Sequence, residues 1–230
     1  MKTPVRLWPL AAMLAVALGT AMTTVAASKA TPKNLVKNGD FAHWKTAAVP
    51  IMHKIRLLQH KVPAGWPYVD QEAYGLVKGN PKFPTQGAIG RSANVKKRGC
   101  AYALLIQNGL RTDITNVSQM IKVKPDTAYR VSVWVKGSNI QPSHRYGPGG
   151  AFLWAVWGPK HYWTHQHYLA KPTKPSSGTF DWRKFTFTTD TGKGARQMML
   201  RLQLRCASGK VWFDQVSVVK IGKITSVKGF

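Results

Sequence analysis

Acidic residues are scarce in this 230-residue chain, in which eight Asp and Glu stand against 34 Lys and Arg. Glycoside hydrolysis usually needs two carboxyl groups that flank the bond to be cleaved. The only close pair is Asp70 and Glu72, and Glu72 is the only glutamate of the chain. The sequence also lacks Gly-x-Ser-x-Gly, His-Glu-x-x-His and a glycine-rich phosphate loop. We therefore expect no catalytic activity, and we interpret the two carboxylates as salt-bridge partners in a loop.

Long apolar runs are lacking outside the N-terminus. There, Lys2 and Arg6 precede the uncharged segment 7–22, and small residues follow it. This three-part pattern predicts a secretory signal peptide over residues 1–27, with cleavage as late as residue 30 as a second option. The run is shorter than the roughly 18 residues of a membrane span, and an uncleaved anchor is the alternative. We expect a secreted or periplasmic mature chain without a transmembrane segment.

Cysteine occurs only twice, at Cys100 and Cys206. The absence of Cys-x-x-Cys excludes zinc-ribbon and thioredoxin-like chemistry. In an oxidising compartment, an isolated pair predicts one disulfide between these two residues. Closing so long a loop would stabilise the fold by ~4 kcal/mol in the chain-entropy model. Two buried thiols are the alternative.

The shortage of acids leaves a formal net charge of +26, which falls by two to +24 when Lys2 and Arg6 leave with the signal peptide. Such a field attracts polyanions. Acidic polysaccharide, anionic cell-envelope material and nucleic acid all qualify, but export removes the usual nucleic-acid target, so we expect no nucleic-acid partner. A surface adapted to an anionic envelope, without a specific ligand, is the alternative.

Several segments alternate with the period of two that is typical of half-buried strands. In the segment 198–206, for example, Met198, Leu200, Leu202 and Leu204 share one face. Comparable strand patterns occupy 101–107, 117–123, 128–135, 182–189 and 211–219. Short strands at this spacing predict an all-β sandwich or barrel. We predict long loops over 49–84, 136–150 and 159–178, with a short basic helix at 52–60.

Four segments in one order carry a family resemblance. They are the opening Asn34-Leu35-Val36-Lys37-Asn38-Gly39-Asp40-Phe41, the central 117–137, the late 182–188 and the closing 209–218. Together they resemble bacterial jelly-roll carbohydrate-binding modules of the xylanase- and cellulase-associated type, within the galactose-binding-like superfamily. The resemblance implies a two-sheet antiparallel jelly-roll β-sandwich with long loops over 34–221, and glycan binding. Residues 222–230 are then a loose C-terminal tail.

Members of this family often carry a Glu after the opening Phe that helps to hold a structural calcium. Here that position is Ala42, while Asp40 and Asp214 remain as possible calcium oxygens, since Ca²⁺ takes several carboxylate and carbonyl ligands. Simple turn capping by these two carboxylates is the alternative. We expect no required cofactor, and a structural calcium at Asp40 and Asp214 is the open option.

Sugar binding needs flat aromatic faces and a few fixed polar groups. Segment 152–168 is the richest source of rings, and its candidate ligand-binding residues are Trp154, Trp157, Tyr162, Trp163 and Tyr168. The first two of these point to opposite faces of one strand, so we expect one to face the core and the other a cleft. The sequence does not decide which.

The polar face of segment 198–206 adds Arg201, Gln203 and Arg205 as candidate ligand-binding residues, spaced roughly 6.8 Å apart. Arginine pairs bidentately with carboxylates, which suits an acidic glycan. A solvated outer face without a ligand is the alternative.

These observations lead to the hypothesis of a secreted, non-catalytic glycan-binding protein that prefers acidic polysaccharide. The first alternative is a basic structural or adhesive envelope protein that binds polyanions or protein partners. The second is a polysaccharide lyase or hydrolase on the same fold, using Asp70, Glu72 or the histidines His161, His165 and His167.

Overall fold

All regular secondary structure in the described part of the chain is β, which confirms the predicted all-β class. The computed structural model describes residues 32–50, 57–73, 87–97, 99–143, 149–158 and 177–223. Its strands are β1 (Trp44–Pro50), β2 (Leu57–Pro63), β3 (Tyr68–Ala73), β4 (Ala88–Ser92), β5 (Ala103–Asn108), β6 (Asp113–Lys122), β7 (Thr127–Pro142), β8 (Gly150–Gly158), β9 (Gly178–Asp190), β10 (Gln197–Arg205) and β11 (Ala207–Lys223).

The strands form two large antiparallel sheets and one small one. The four-stranded sheet has the order β3-β6-β10-β8, the five-stranded sheet has the order β4-β5-β11-β7-β9, and β1 pairs with β2. Both large sheets contribute to one hydrophobic core, for example Leu200 and Leu202 from β10 and Val131 and Phe213 from the other sheet. The predicted two-sheet antiparallel sandwich is therefore confirmed, and its jelly-roll connectivity stays a prediction.

The strands β7 and β10 bury the faces that their alternation predicts. Val131, Val133 and Val135 of β7 are buried, as are the even-numbered residues 198–204 of β10. Burying an aliphatic side chain of this size contributes roughly 1.5–3 kcal/mol. Because successive side chains of a strand point to opposite faces, the odd-numbered residues of β10 are directed away from the core. This geometry creates the outer face on which the candidate site lies.

The opening segment 34–41 lies against β11 at a bulge in that strand. The Nδ2 atom of Asn34 donates to the carbonyl of Val216 at 3.2 Å, and its Oδ1 accepts from the amide of Val218 at 2.9 Å. The amide of Val216 in turn donates to the carbonyl of Gly39 at 2.9 Å. The opening motif therefore belongs to the fold, and its polar residues anchor the chain at the bulge.

The predicted loop over 49–84 contains the end of β1 and the strands β2 and β3. The predicted loop over 136–150 is wrong over residues 136–142, which belong to β7. The predicted basic helix is wrong over Leu57–His60, which belong to β2, while residues 51–56 lie outside the described residues. Pro63 and Pro67 caused the error, because proline is a usual sign of a loop. Here the two prolines flank the short turn between β2 and β3.

The C-terminal strand is longer than predicted. Gly222 and Lys223 belong to β11 rather than to a loose tail, while 224–230 lie outside the described residues, as does the predicted signal peptide. Within the described ranges, the structure contains no helix that combines the length and the apolarity needed to cross a membrane.

The predicted disulfide is wrong, because Cys100 and Cys206 are not bonded to each other. The Sγ atom of Cys100 accepts a hydrogen bond from Gln215 Nε2 at 3.3 Å, whereas Cys206 directly precedes β11. The chain from Cys206 to Gln215 spans on the order of 30 Å at roughly 3.3 Å per residue. A disulfide requires Cα atoms within about 7 Å. An isolated pair of cysteines predicts a bond only when the fold brings them together.

Gly39→Ala should destabilise the protein, because a Cβ atom at this position would collide with the carbonyl oxygen of Val216. We expect a loss of roughly 1–3 kcal/mol in the free energy of unfolding, as for other overpacked sites, measured by urea denaturation. Gly90→Ala in β4 is the matched control, because its Cβ would meet no atom within 4 Å. If both variants matched the wild type, the close approach of the opening segment to β11 would be wrong.

Both cysteines should react with a maleimide when the purified protein is unfolded without a reductant, giving two adducts by mass spectrometry. In the folded protein, we expect Cys100 to react first, because it is half-buried while Cys206 is buried. Burial raises the pKa of both thiols, so labelling should be slow near neutral pH. An unfolded chain that takes up no adduct would show the disulfide after all.

Candidate ligand-binding surface on the four-stranded sheet

One row of side-chain positions runs across the outer face of the four-stranded sheet. In β10, Arg201 is opposite Trp154 of β8 on one side and Ser118 of β6 on the other. Ser118 is in turn opposite Tyr68 of β3. Directly opposite residues of an antiparallel pair have Cβ atoms about 4.5–5.5 Å apart. The register therefore brings a tyrosine, a serine, an arginine and a tryptophan into one line.

The next row along the sheet is more polar. Gln203 is opposite Asn116 of β6 and Phe152 of β8, and Asp70 of β3 is opposite Asn116. Only 3% of Gln203 is exposed, and its Oε1 has no hydrogen-bond partner among the described residues. Ser118 Oγ donates to Asn116 Oδ1 at 3.4 Å. Arg205 occupies the row beyond, so the structure brings the three predicted β10 residues onto one face.

The two tryptophans of β8 point to opposite faces, as alternation predicts. Trp157 packs against the core between the sheets, where its ring lies 2.7 Å from the position that a Cβ on Gly192 would occupy. Trp154 lies on the outer face and forms a separate cluster with Phe152 and Val156. The guanidinium carbon of Arg205 lies 5.7 Å from the centroid of the Trp154 ring.

Neither tryptophan provides the exposed stacking surface that the sequence suggested. Trp154 is only 8% exposed, and Trp157 is directed to the core side of the sheet. The structure therefore does not bring Trp157 to this surface, and it makes Trp154 a buried support beside Arg201 and Arg205. Tyr162, Trp163 and Tyr168, together with the histidines between 161 and 167, lie outside the described residues.

The exposed aromatic ring of this face is Tyr68, which the sequence analysis missed. It is 48% exposed, at the start of the edge strand β3. The preceding Trp66 is fully buried, with its ring centroid 5.5 Å from that of Phe41, and this packing fixes the turn from which Tyr68 emerges. The signal was the sequence Gly65-Trp66-Pro67-Tyr68 inside a region that we predicted as a loop.

Beside Tyr68 lies a cleft of about 650 Å³ that we call the lysine cleft. No acidic residue lines it, and its cationic residues are Lys33, Lys37, Lys45 and Lys122. None of these four lysines makes an ion pair with a described residue. Because unpaired like charges raise the local positive potential, the cleft attracts anionic groups.

The wall of the lysine cleft is held in place by a side chain of β6. Gln119 Nε2 donates to the carbonyl of Lys37, and Gln119 Oε1 accepts from the amide of Lys37, each at 2.9 Å. This pair of hydrogen bonds engages both the nitrogen and the oxygen of the side-chain amide of a buried residue. The backbone that carries the cleft lysines of the opening segment is therefore fixed against the sheet.

The carboxylates predicted for calcium lie elsewhere, at the bulge of β11. Asp214 is buried, with Oδ2 accepting from the amide of Lys97 at 2.9 Å and Oδ1 from the amide of Gln215 at 2.7 Å. Asp40 Oδ1 accepts from the amide of Ala42 at 3.4 Å. The described residues contain no group of three or more His, Cys, Asp or Glu suited to a metal. Each oxygen of Asp214 thus accepts one backbone hydrogen bond. A structural calcium at Asp40 and Asp214 stays a prediction.

No protein-family model and no curated protein matches the sequence. Solved structures with a similar fold include the enzymatically active domain of tailspike protein 4 of bacteriophage CBA120, at 11% identity and a TM-score of 0.52. The match covers 82% of this chain and 21% of that one, so this chain spans about a fifth of the tailspike chain. A cyclase from Fischerella sp. TAU is 15% identical with a TM-score of 0.51, over 85% of this chain and 100% of the cyclase.

A structure described as CBM4 also matches, at 14% identity over 81% of this chain and 99% of that one, with a TM-score of 0.46. At such identities, the likeness to the tailspike domain and to the cyclase shows the fold alone. One fold supports many unrelated functions, so function has to be argued from the residues of the site.

Asp214 should make the stability of this protein depend on pH. Burial raises the pKa of its carboxyl above the ordinary value of 3.8, and the nearby charge of Asp40 acts in the same direction. Between 3.8 and the raised value, the folded chain holds a proton that the unfolded chain has released. The stabilising contribution is thus fully present below pH 3.8 and is lost as the pH rises through the raised pKa.

The measurement is urea denaturation of the wild type and of Asp214→Asn at a series of pH values. As the pH falls through this window, the free energy of unfolding of the wild type should increase relative to that of Asp214→Asn. Asp190→Asn, at an exposed position, reports the background. A difference between wild type and Asp214→Asn that is constant across the series would contradict the raised pKa.

Proposed function

We propose that this protein is a non-catalytic glycan-binding protein whose ligand contacts the exposed ring of Tyr68 and the adjoining lysine cleft. The observation that carries the proposal is the exposed ring of Tyr68 directly beside the lysine cleft, whereas Ser118 in the same register row is buried. Aromatic rings stack on the apolar face of a sugar, and fixed polar groups orient its hydroxyls.

The same surface supports a preference for acidic glycans. Four lysines line the cleft without a single acidic residue, and Arg201 adds a half-buried guanidinium two β-strands away from Tyr68. Carboxylate or sulfate groups of an acidic polysaccharide would meet the four lysines of the cleft, none of which makes an ion pair with a described residue. The overall charge of +26 would concentrate the same class of polymer near the protein.

The N-terminal segment adds a location to this proposal. The charged start, apolar run and small residues of 1–27 have the order of a secretory signal peptide. An exported protein meets glycans of the cell envelope or its surroundings, so secretion or delivery to the periplasm would bring it to its ligand.

Tyr68→Ala should weaken binding to glycans about 10-fold, or about 1.4 kcal/mol, because it removes the exposed stacking ring. Lys45→Gln with Lys122→Gln should weaken binding only to charged glycans and should reduce its dependence on salt. The measurement is calorimetry with polygalacturonate and with its methyl ester, in which the same sugar has lost its charge, at several salt concentrations.

Lys193→Gln with Lys210→Gln is the matched control, because it removes two exposed cations that lie outside the cleft. Salt-sensitive binding that is equally reduced by the control and by the cleft variant, and is unaffected by Tyr68→Ala, would favour the basic adhesive protein over a glycan-binding site. New reducing ends after incubation with the bound glycan would instead reveal a lyase or hydrolase.

A further inference from the structure

A second groove lies on the opposite side of the sandwich, on the outer face of the five-stranded sheet. It has a volume of about 700 Å³ and lies between the opening segment and the strands β7 and β9. We call it the β7–β9 groove, and the sheet residues that define it are Arg130, Ser132, Trp134, Lys184, Thr186 and Ser217. None of them belongs to the surface around Tyr68.

The strand register arranges these residues in three successive rows. Ser132 of β7 is opposite Ser217 of β11 on one side and Thr186 of β9 on the other, which gives a line of three hydroxyl groups. Trp134 is opposite Lys184 in the row on one side, and Arg130 occupies the row on the other. Arg130 and Trp134 are about 13 Å apart along the strand at roughly 3.3 Å per residue. The groove is therefore long enough for a short oligosaccharide.

Positive charge dominates both ends of the groove. Arg130 and Lys184 are exposed, and neither makes an ion pair with a described residue. The ammonium group of Lys97 lies 3.6 Å from the centroid of the Trp134 ring, which places a third cation at the same end as Lys184. Asp40 is the only acidic residue among those that line the groove. An anionic ligand is therefore favoured over a neutral or cationic one.

We propose that the β7–β9 groove is a second binding site, and that its ligand is an acidic oligosaccharide. The three hydroxyls can exchange hydrogen bonds with sugar hydroxyls, because each is both a donor and an acceptor. Arg130 and Lys184 bind acidic groups at the two ends, and Lys97, in contact with the ring of Trp134, adds a third cation. A single ring is poorly suited to single-stranded nucleic acid, which is usually held by a series of stacking aromatics.

A second site on the opposite face would make the protein bivalent. This consequence, unlike the groove site itself, rests on the function proposed for the Tyr68 surface. One molecule could then bind two chains of an acidic polysaccharide and crosslink them, or bind one long chain at two points with increased avidity.

The test uses calorimetry with hexagalacturonate and its methyl ester as probes. The groove variant is Arg130→Gln with Lys184→Gln, and the variant of the other surface is Tyr68→Ala with Lys45→Gln and Lys122→Gln. We expect two hexagalacturonate molecules per wild-type chain and one per chain of either variant. Combining the groove changes with those at the other surface should weaken the remaining binding at least 10-fold. Lys193→Gln with Lys210→Gln, at exposed positions outside both sites, should leave the stoichiometry at two.

The outcomes separate the two sites. If the groove variant binds as the wild type does, and the combined variant binds as the Tyr68-surface variant does, the groove proposal is overturned. Equal affinity of the groove for hexagalacturonate and for its methyl ester would overturn the acidic class of ligand. If only the groove changes reduce binding, the groove proposal stands and the function proposed for the Tyr68 surface fails.

Discussion

The antiparallel pairing of β10 with both β6 and β8 is the constraint on which the candidate surface depends. It directs the even-numbered residues 198–204 into the core and places Arg201 between Ser118 and Trp154 on the outer face. Because side chains alternate with a period of two, a shift of one residue would expose the apolar set and bury the charged one. The burial of several aliphatic side chains, each worth roughly 1.5–3 kcal/mol, therefore fixes the position of the arginine row as well.

The scarcity of acidic residues then determines what the two outer faces can do. Between described residues, the ion pair that the structure shows joins Lys136 to Asp181, whose side chain is 82% exposed. The lysines beside Tyr68 and the cations of the β7–β9 groove have no such partner among the described residues. A cation without an internal partner is stabilised by water and mobile counterions, and an anionic ligand can displace them. The chain thus keeps its binding capacity for polyanions instead of using it in internal ion pairs.

Local patterns predicted those parts of the structure that depend on alternation. The buried faces of β7 and β10 follow directly from the spacing of Val131 to Val135 and of Met198 to Leu204. The same reasoning failed for β2 and β3, whose prolines are typical of loops, and so Tyr68 was missed. The disulfide predicted from the isolated pair Cys100 and Cys206 also failed, and alternation left the orientation of Trp154 undecided. These features depend on distances between segments far apart in the sequence, which the strand pattern of a single segment does not contain.

The opening segment links the two outer faces, and this follows from the position of one residue. Asn34 lines both the lysine cleft and the β7–β9 groove, and its side chain makes hydrogen bonds to Val216 and Val218 at the bulge of β11. Three residues further on, the backbone of Lys37 is held by Gln119 of the four-stranded sheet. The segment is thus attached to both sheets of the sandwich. A ligand that displaced this segment at one site would disturb the wall of the other site. Because the hydrogen bonds at Asn34 and Lys37 hold the segment in place, we expect the two sites to bind independently.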